Sequence, residues 1–412
     1  MPERLADAGW LRAEPLASVL AALNGNGVET RVVGGAVRNA LMGADQPHDI
    51  DLATTAAPQE VVARAETAGM KAVPTGLDHG TVTVVADGRP FEVTTLRHDV
   101  ETHGRHATVA FGADWEADAR RRDFTMNALY ADAAGLVYDP VGGRDDVAAR
   151  RVRFIGEATE RIREDYLRIL RFFRFHAQYG HGAPDADGLS AVIAERNGLR
   201  HLSGERLRQE LLRLLVADGA ARTVEVMADS GILPILLAGV AYWPSLARLA
   251  KLDRSLDTAP DPVLRLAALA VVIPEDGARL GARLRLSNTE CDSLVAVSRQ
   301  WRDLSPRLNE PDRKRILYQI GPDAWRDAAR LAWARAGAPA DDAGWRGLVA
   351  LPEHWQPPAF PLRGADLLKL GMAKGPAVGR LLGELEAQWI AGDFTLSRDA
   401  LLNEARDRLG NA

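Results

Sequence analysis

The 412-residue chain has almost no cysteine. Cys291 stands alone, which excludes an internal disulfide framework and a cysteine-built zinc site. No run of about 18 apolar residues occurs, so no segment reads as a transmembrane helix. The apolar stretch around Leu16 to Leu23 is short, follows Glu14 and lacks the basic flank of a secretory leader, so a cytoplasmic protein is expected. Positive charge is not in excess: 51 Lys and Arg face 56 Asp and Glu, leaving a net charge of −5. That argues against a protein that coats nucleic acid over its whole surface, but not against a local basic site. Lysine is scarce, so the positive charge is nearly all arginine. What is present, 47% apolar and 26% charged residues, is ordinary for a globular protein, and the length suits two to four domains.

The texture changes along the chain. Residues 1–28 read as an N-terminal helix that stops at Asn24-Gly25-Asn26-Gly27. Residues 29–150 are mixed: β-branched runs (Thr30 to Val33, Thr81 to Val85, Phe91 to Thr95) alternate with helical segments such as Pro58 to Ala68. Asp87-Gly88-Arg89-Pro90 reads as the turn of a hairpin. From about Arg161 the pattern is helical, with Leu207, Leu211, Leu214 and Leu215 on one face. Prolines at positions including 262, 274, 311 and 352 then punctuate short helices. An α/β head followed by helices over 151–220 and 221–412 is the expected plan.

Val32-Val33-Gly34-Gly35-Ala36-Val37-Arg38 puts a glycine pair between a strand and a helix. Such a turn brings backbone N–H groups and a helix N-terminus to a phosphate, and Arg38 could add charge-assisted bonds, although a Gly-Gly turn also serves as a plain tight connection. Asp49-Ile50-Asp51 follows; in a strand, residues two apart share a face, so the two carboxylates would project together and could bind a divalent cation, although an isolated D-x-D is more commonly a pair of solvated edge-strand acids. Glu92, between residues that read as buried strand, would be costly unless paired or metal-associated. Three acids beside a phosphate turn fit two-metal phosphoryl transfer. Arg121-Arg122-Asp123, next in order, suits contact with a triphosphate.

In Glu164-Asp165-Tyr166-Leu167-Arg168-Ile169-Leu170-Arg171-Phe172-Phe173-Arg174, the residues Asp165, Arg168, Arg171 and Arg174 recur every three positions, as a slowly winding helix stripe. Tyr166, Ile169, Leu170 and Phe173 form the opposing apolar face. Three arginines with one acid in line call for an external anion. Asp165 and Arg168 also make a base template: a carboxylate accepts from an exocyclic amino group and a guanidinium donates to a ring nitrogen. Cytosine and adenine match that pair; uracil and guanine mismatch at both bonds.

The ordered set Gly34-Gly35-x-x-Arg38, Asp49-x-Asp51, Glu92, Arg121-Arg122-Asp123-Phe124-Thr125-x-Asn127, Glu164-Asp165-x-x-Arg168 and Ser203-Gly204-Glu205-Arg206 resembles the class II tRNA nucleotidyltransferases and bacterial poly(A) polymerases. The likeness covers about residues 30–215 closely and reaches Pro361-Leu362-x-Gly364-x-Asp366-Leu367 more loosely. It implies an α+β, polymerase-β-like head with a small mixed sheet, a helical neck that reads the nucleotide, and a helical body and tail that bind tRNA. Gly35, Arg38 and Arg122 would hold the triphosphate, and Gly34 and Asp123 would join them in binding the nucleotide. Asp49 and Asp51 would hold Mg2+, Glu92 would support the primer hydroxyl, and Asp165, Arg168, Arg171 and Arg174 would face the nucleotide. The implied reaction adds C, C and A to the tRNA 3′ end from CTP and ATP; a poly(A) or A-only adding enzyme is the alternative, an inactive RNA-binding relative a more distant one. Arg97 to Phe111, with Gly104, Arg105 and His106, resembles the loop that switches C to A addition. Asn39, Ala107 and Arg120 depart from the family pattern. His98-Asp99 lacks the partners of a metal-dependent phosphohydrolase domain.

Overall fold

A computed structural model describes residues 4–5, 8–44, 49–76, 80–103 and 106–410, with backbone alone for 98–103, 106–110 and 410. It forms two compact units, Met1–Val240 and Ala241–Ala412. The first unit opens with α1 (Leu16–Leu23), shorter than the helix expected over residues 1–28. Its stop is the expected one: the Asn24 side chain donates to the carbonyls of Leu20 and Thr30 and accepts from Thr30 N–H, tying the helix end to the first strand.

A seven-stranded mixed sheet follows, built from β1 (Thr30–Val33), β2 (Asp51–Thr54), β3 (Lys71–Gly76), β4 (Thr81–Ala86), β5 (Arg89–Thr95) and two short strands. Its order is β3-β4-β5-β2-β1, then Tyr130–Ala131 and Val137–Tyr138 at the far edge. Only the β2–β5 pair is parallel. Asp87 and Gly88 both take positive φ, as a tight hairpin between β4 and β5 requires. Alternation is clean on β4, where Val82, Val84 and Ala86 face inward. Helices α2 (Gly35–Leu41) and α3 (Pro58–Thr67) cover the sheet. Arg97–His103 and His106–Phe111 pair as β6 and β7, with Ala107 opposite Thr102; Gly104 and Arg105 lie outside the described residues.

Beyond α4 (Trp115–Arg120) and the short strands, β8 (Tyr130–Ala131) and β9 (Val137–Tyr138), the first unit is helical: α5 (Gly143–Ala148), α6 (Ala158–Glu164), α7 (Leu167–Tyr179), α8 (Ala186–Glu195), α9 (Gly204–Leu215), α10 (Ala220–Asp229) and α11 (Ile232–Leu237). On α9 the leucines 207, 211, 214 and 215 are fully buried, as their spacing demands. The second unit is all helix among its described residues. Pro262, Pro274, Pro311 and Pro352 sit in the first turns of helices there, where a missing N–H costs nothing. Its interior pins buried Asp253 between Arg265 and Arg330. A separate cluster of Leu362, Leu367, Leu385, Trp389 and Leu401 closes the C-terminal helices. No helix among the described residues is long and apolar enough to cross a membrane.

Candidate active site

The sheet places the acids. In the register of the parallel pair, Asp51 stands opposite Glu92, and across the other edge of β2 it stands opposite Val33. Gly34 follows Val33 directly, so the glycine turn, Asp51 and Glu92 lie in a row at one end of three adjacent strands. Glu92 is exposed between buried Phe91 and Val93, so the expected burial cost does not arise; strand alternation turns it to solvent. Asp49 is also exposed, but it occupies a bend before β2 and not the strand itself, so the shared-face argument for 49 and 51 does not apply. The three acids are nevertheless coupled. Burial first, then Glu92 and Asp49, push the Asp51 carboxyl above its ordinary range, against the pull of Arg122. Among the described residues no group of three or more His, Cys, Asp or Glu side chains is arranged to hold a metal ion by itself.

Gly34 has φ +70° and ψ −116°, a conformation that only glycine adopts readily, and a Cβ there would stand 3.4 Å from the Asn127 carbonyl. Gly34→Ala therefore costs about 1–3 kcal/mol of strain, readable as a lowered melting temperature together with weakened nucleotide binding.

Beside the acids opens a cavity of about 550 Å³, lined by Gly34, Gly35, Asp51, Asp123, Asp165, Tyr179 and the arginines 38, 121, 122, 168, 171, 174 and 206, among others. Seven guanidinium groups and three aspartates line it, an arginine-rich wall in an acidic chain. The arginine stripe of α7 does not, however, wait for an outside anion. Arg168 pairs with Glu164 (2.5 Å), Arg171 with Asp123 (2.5 Å), and Arg174 with Glu210 (2.5 Å), so other elements supply the acids missing from the stripe. Glu210 and Arg174 are both buried, and Glu210→Ala would strand a guanidinium. The expected loss is about 3–5 kcal/mol, seen as a lower denaturant midpoint.

Asp165 also departs from expectation, since it lies off the helix. α6 ends at Glu164, Asp165 is extended (φ −153°, ψ 105°), and α7 begins at Leu167. The cause is local: its carboxylate accepts the Leu167 N–H (3.1 Å), which caps the new helix. The same carboxylate takes a two-pronged bond from Arg206 (2.7 and 3.1 Å), the arginine of the Ser203–Arg206 motif. Arg168 also donates to the Arg161 carbonyl. The expected apolar face is sound for Ile169, Leu170 and Phe173, which are buried, whereas Tyr166 is half-buried at the helix start.

Asp123, expected to bind nucleotide, has its carboxylate filled by protein donors: Arg171, the Asn127 amide and Phe124 N–H. Arg38 is buried and leans on amides, Asn39 and Asn127, and on the face of Tyr179 at 3.8 Å. The departure at Asn39 thus places a neutral acceptor beside Arg38. Arg120 is exposed and pairs with Glu116.

Sequence reasoning missed four residues here. Asp118 holds Arg121, Arg122 and Tyr130; Arg161 donates to the carbonyls of Arg121 and Arg122; Glu210 and Tyr179 contact Arg174 and Arg38. Burial alone would push the Asp118 carboxyl up, but Arg122, Arg121 and the Tyr130 hydroxyl outweigh it and hold it below the usual carboxylate range. Burial is likewise outweighed at Asp123 by Arg171 and Asn127. Depressed native values mean stability that is complete above about pH 4 and lost as pH falls through those values. Acid titration of the folded state by circular dichroism should show that loss, and Asp118→Asn should reduce its steepness.

Two acids in strand register beside a glycine turn, with an arginine-lined cavity reaching α7, are the layout of a polymerase-β-like nucleotidyltransferase. Residues 30–153 match the family model for the poly A polymerase head domain, and residues 185–243 match that for the probable RNA and SrmB-binding site of polymerase A. The mitochondrial CCA tRNA nucleotidyltransferase 1 of Homo sapiens is 34% identical over 384 residues, spanning 91% of this chain and 86% of that protein. The CCA-adding enzyme of Geobacillus thermodenitrificans is 41% identical over 231 residues, 56% of this chain and 54% of that one. A crystal structure of the Bacillus stearothermophilus CCA-adding enzyme with CTP superposes with a TM-score of 0.75 at 29% identity, covering 96% of this chain and 98% of that one. The chain belongs to the CCA-adding tRNA nucleotidyltransferase family.

Proposed function

We propose that this enzyme adds C, C and A without a nucleic-acid template to the 3′ end of tRNA, drawing on CTP and ATP and releasing pyrophosphate. The observation that carries the reading is the placement of Asp51 and Glu92 in register beside the Gly34–Gly35 turn, with the arginine-lined cavity and Asp165 next to them. Gly34, Gly35, Arg38 and Arg122 hold the triphosphate, and Glu92 supports the terminal hydroxyl of the RNA as it attacks the α-phosphorus. Asp165 and Arg168 read the base. Arg171 and Arg174 shape the wall behind it, and Asp123 serves by fixing Arg171. Residues 29–150 act as the head, 151–220 as the neck, and 221–412 as the tRNA-binding body and tail.

Members of this family generally use divalent metal ions. The donor set fits Mg2+: Asp51, raised by Glu92 and Asp49, gains from a cation, and Mg2+ commonly takes one or two carboxylates plus phosphate oxygens. Asp49 and Asp51 would hold it. When bound, it lowers the pKa of the attacking hydroxyl and neutralises charge on the leaving pyrophosphate. A reducing compartment such as the cytosol suits a chain with one cysteine.

A-only extension has less support, since relatives aligned over nine-tenths of the chain carry CCA names. The test supplies tRNA ending before, within and after CCA with each triphosphate separately, and sizes the products. Stepwise C, C and A is expected; extension by ATP alone on tRNA lacking both cytidines contradicts the reading.

A further inference from the structure

Asp118 lies on α4, one turn before Arg121 and Arg122, with about 1% of its surface exposed. Its Oδ1 accepts from Nε and Nη2 of Arg121 (2.8 and 2.6 Å). Its Oδ2 accepts from Nε and Nη2 of Arg122 (3.2 and 3.1 Å) and from the Tyr130 hydroxyl (2.8 Å). A carboxylate offers about four lone-pair sites, so this one is saturated. Two neighbouring guanidinium groups that would repel each other are thereby held on one acid.

The geometry has a direction. Because Arg122 is gripped through Nε and Nη2, its guanidinium plane is fixed and Nη1 is aimed away from Asp118. Nη1 stands 3.9 Å from where a Cβ on Gly34 would lie, at the turn where the phosphates belong. Tyr130 closes the arrangement, since the Arg122 guanidinium sits 5.4 Å over its ring. The backbone of the Arg121–Arg122 pair is secured separately, by Arg161. Loss of Asp118 therefore frees the two guanidinium groups while their main chain stays clamped.

We propose that Asp118 is a positioning residue for nucleotide binding, presenting Nη1 of Arg122 to the phosphates at the Gly34–Gly35 turn. This rests on the assignment of that turn and Arg122 to the triphosphate. Asp118→Asn keeps the shape but swaps an accepting oxygen for a donating amide, so it cannot receive both guanidinium groups. The Kd for CTP and for ATP should rise together, by roughly 10- to 100-fold from the loss of charge-assisted bonds. The kcat at saturating nucleotide, the affinity for tRNA and the preference for CTP over UTP should stay close to wild type. A structural defect alone would not leave that split, and Asp118→Glu should recover part of the affinity.

The decisive arm is a double-mutant cycle on CTP binding with Arg122→Ala. If Asp118 acts through Arg122, the double variant binds CTP no more weakly than Arg122→Ala alone. Additive losses overturn the proposal, as does a folded Asp118→Asn enzyme with wild-type CTP affinity. Should Asp118→Asn fail to fold, Tyr130→Phe removes a single bond to the carboxylate, and a Kd raised a few-fold supports the proposal while an unchanged one overturns it. If Arg122→Ala itself binds CTP normally, the triphosphate assignment has failed, and with it the proposal.

Discussion

Asp51→Asn should abolish nucleotide incorporation while leaving tRNA binding nearly intact. Asp51 heads β2 directly opposite Glu92, one strand away from the glycine turn, and of the three acids it alone is held in strand register on both sides. Its carboxyl is pushed above the ordinary range by burial and then by Glu92 and Asp49, an environment that a divalent cation would favour. An amide keeps the shape and removes both the charge and one proposed metal ligand. Transition-state stabilisation by a bound metal is worth several kcal/mol, so incorporation should fall by on the order of 10³-fold or more. Single-turnover incorporation of labelled CTP measures this, and a gel-shift with tRNA provides the control. Asp51→Asn turnover within tenfold of wild type would remove Asp51 from the chemistry.

The second large effect concerns base choice. Asp165→Ala should admit UTP and GTP, because the acceptor for the amino group of C or A has gone. Arg206 and Leu167 N–H hold this carboxylate in one orientation at the cavity wall. A rigid acceptor discriminates because a mismatched carbonyl leaves buried polar groups unpaired, at about 1–3 kcal/mol each. Removal of one such group should lower the preference for CTP over UTP by roughly 5- to 150-fold. Competition between the two triphosphates on tRNA lacking CCA gives the ratio. An unchanged ratio would place base reading elsewhere in the neck.

Much of this architecture is written in local pattern. The Asp87–Gly88 turn, the leucines of α9 and the Gly34–Gly35 junction are set by spacing within a few residues, and each forms as that spacing requires. Elements governed by distant partners were not legible. Glu164 is local to Arg168, but the acids that neutralise the other two α7 arginines stand 48 residues before Arg171, at Asp123, and 36 after Arg174, at Glu210. No periodicity announces such pairs. Asp118 reads as an ordinary helix acid until the fold brings Tyr130 to it. The break at Asp165 was hidden because Asp, Tyr and Leu continue a helical apolar pattern, and only the cap to Leu167 shows that the backbone turns. Asp49 was misplaced for a related reason: a D-x-D spacing fits a strand, yet pairing with β1 and β5 begins only at Asp51.

Asp49 and Asp51 are proposed to hold a divalent cation beside a triphosphate at the Gly34–Gly35 turn. Anomalous diffraction from crystals soaked with Mn2+ and a non-hydrolysable CTP analogue tests it directly. A manganese peak beside the two aspartates, together with analogue at the glycine turn, is the expected result. Analogue bound in the cavity with manganese elsewhere, or absent, would contradict the account.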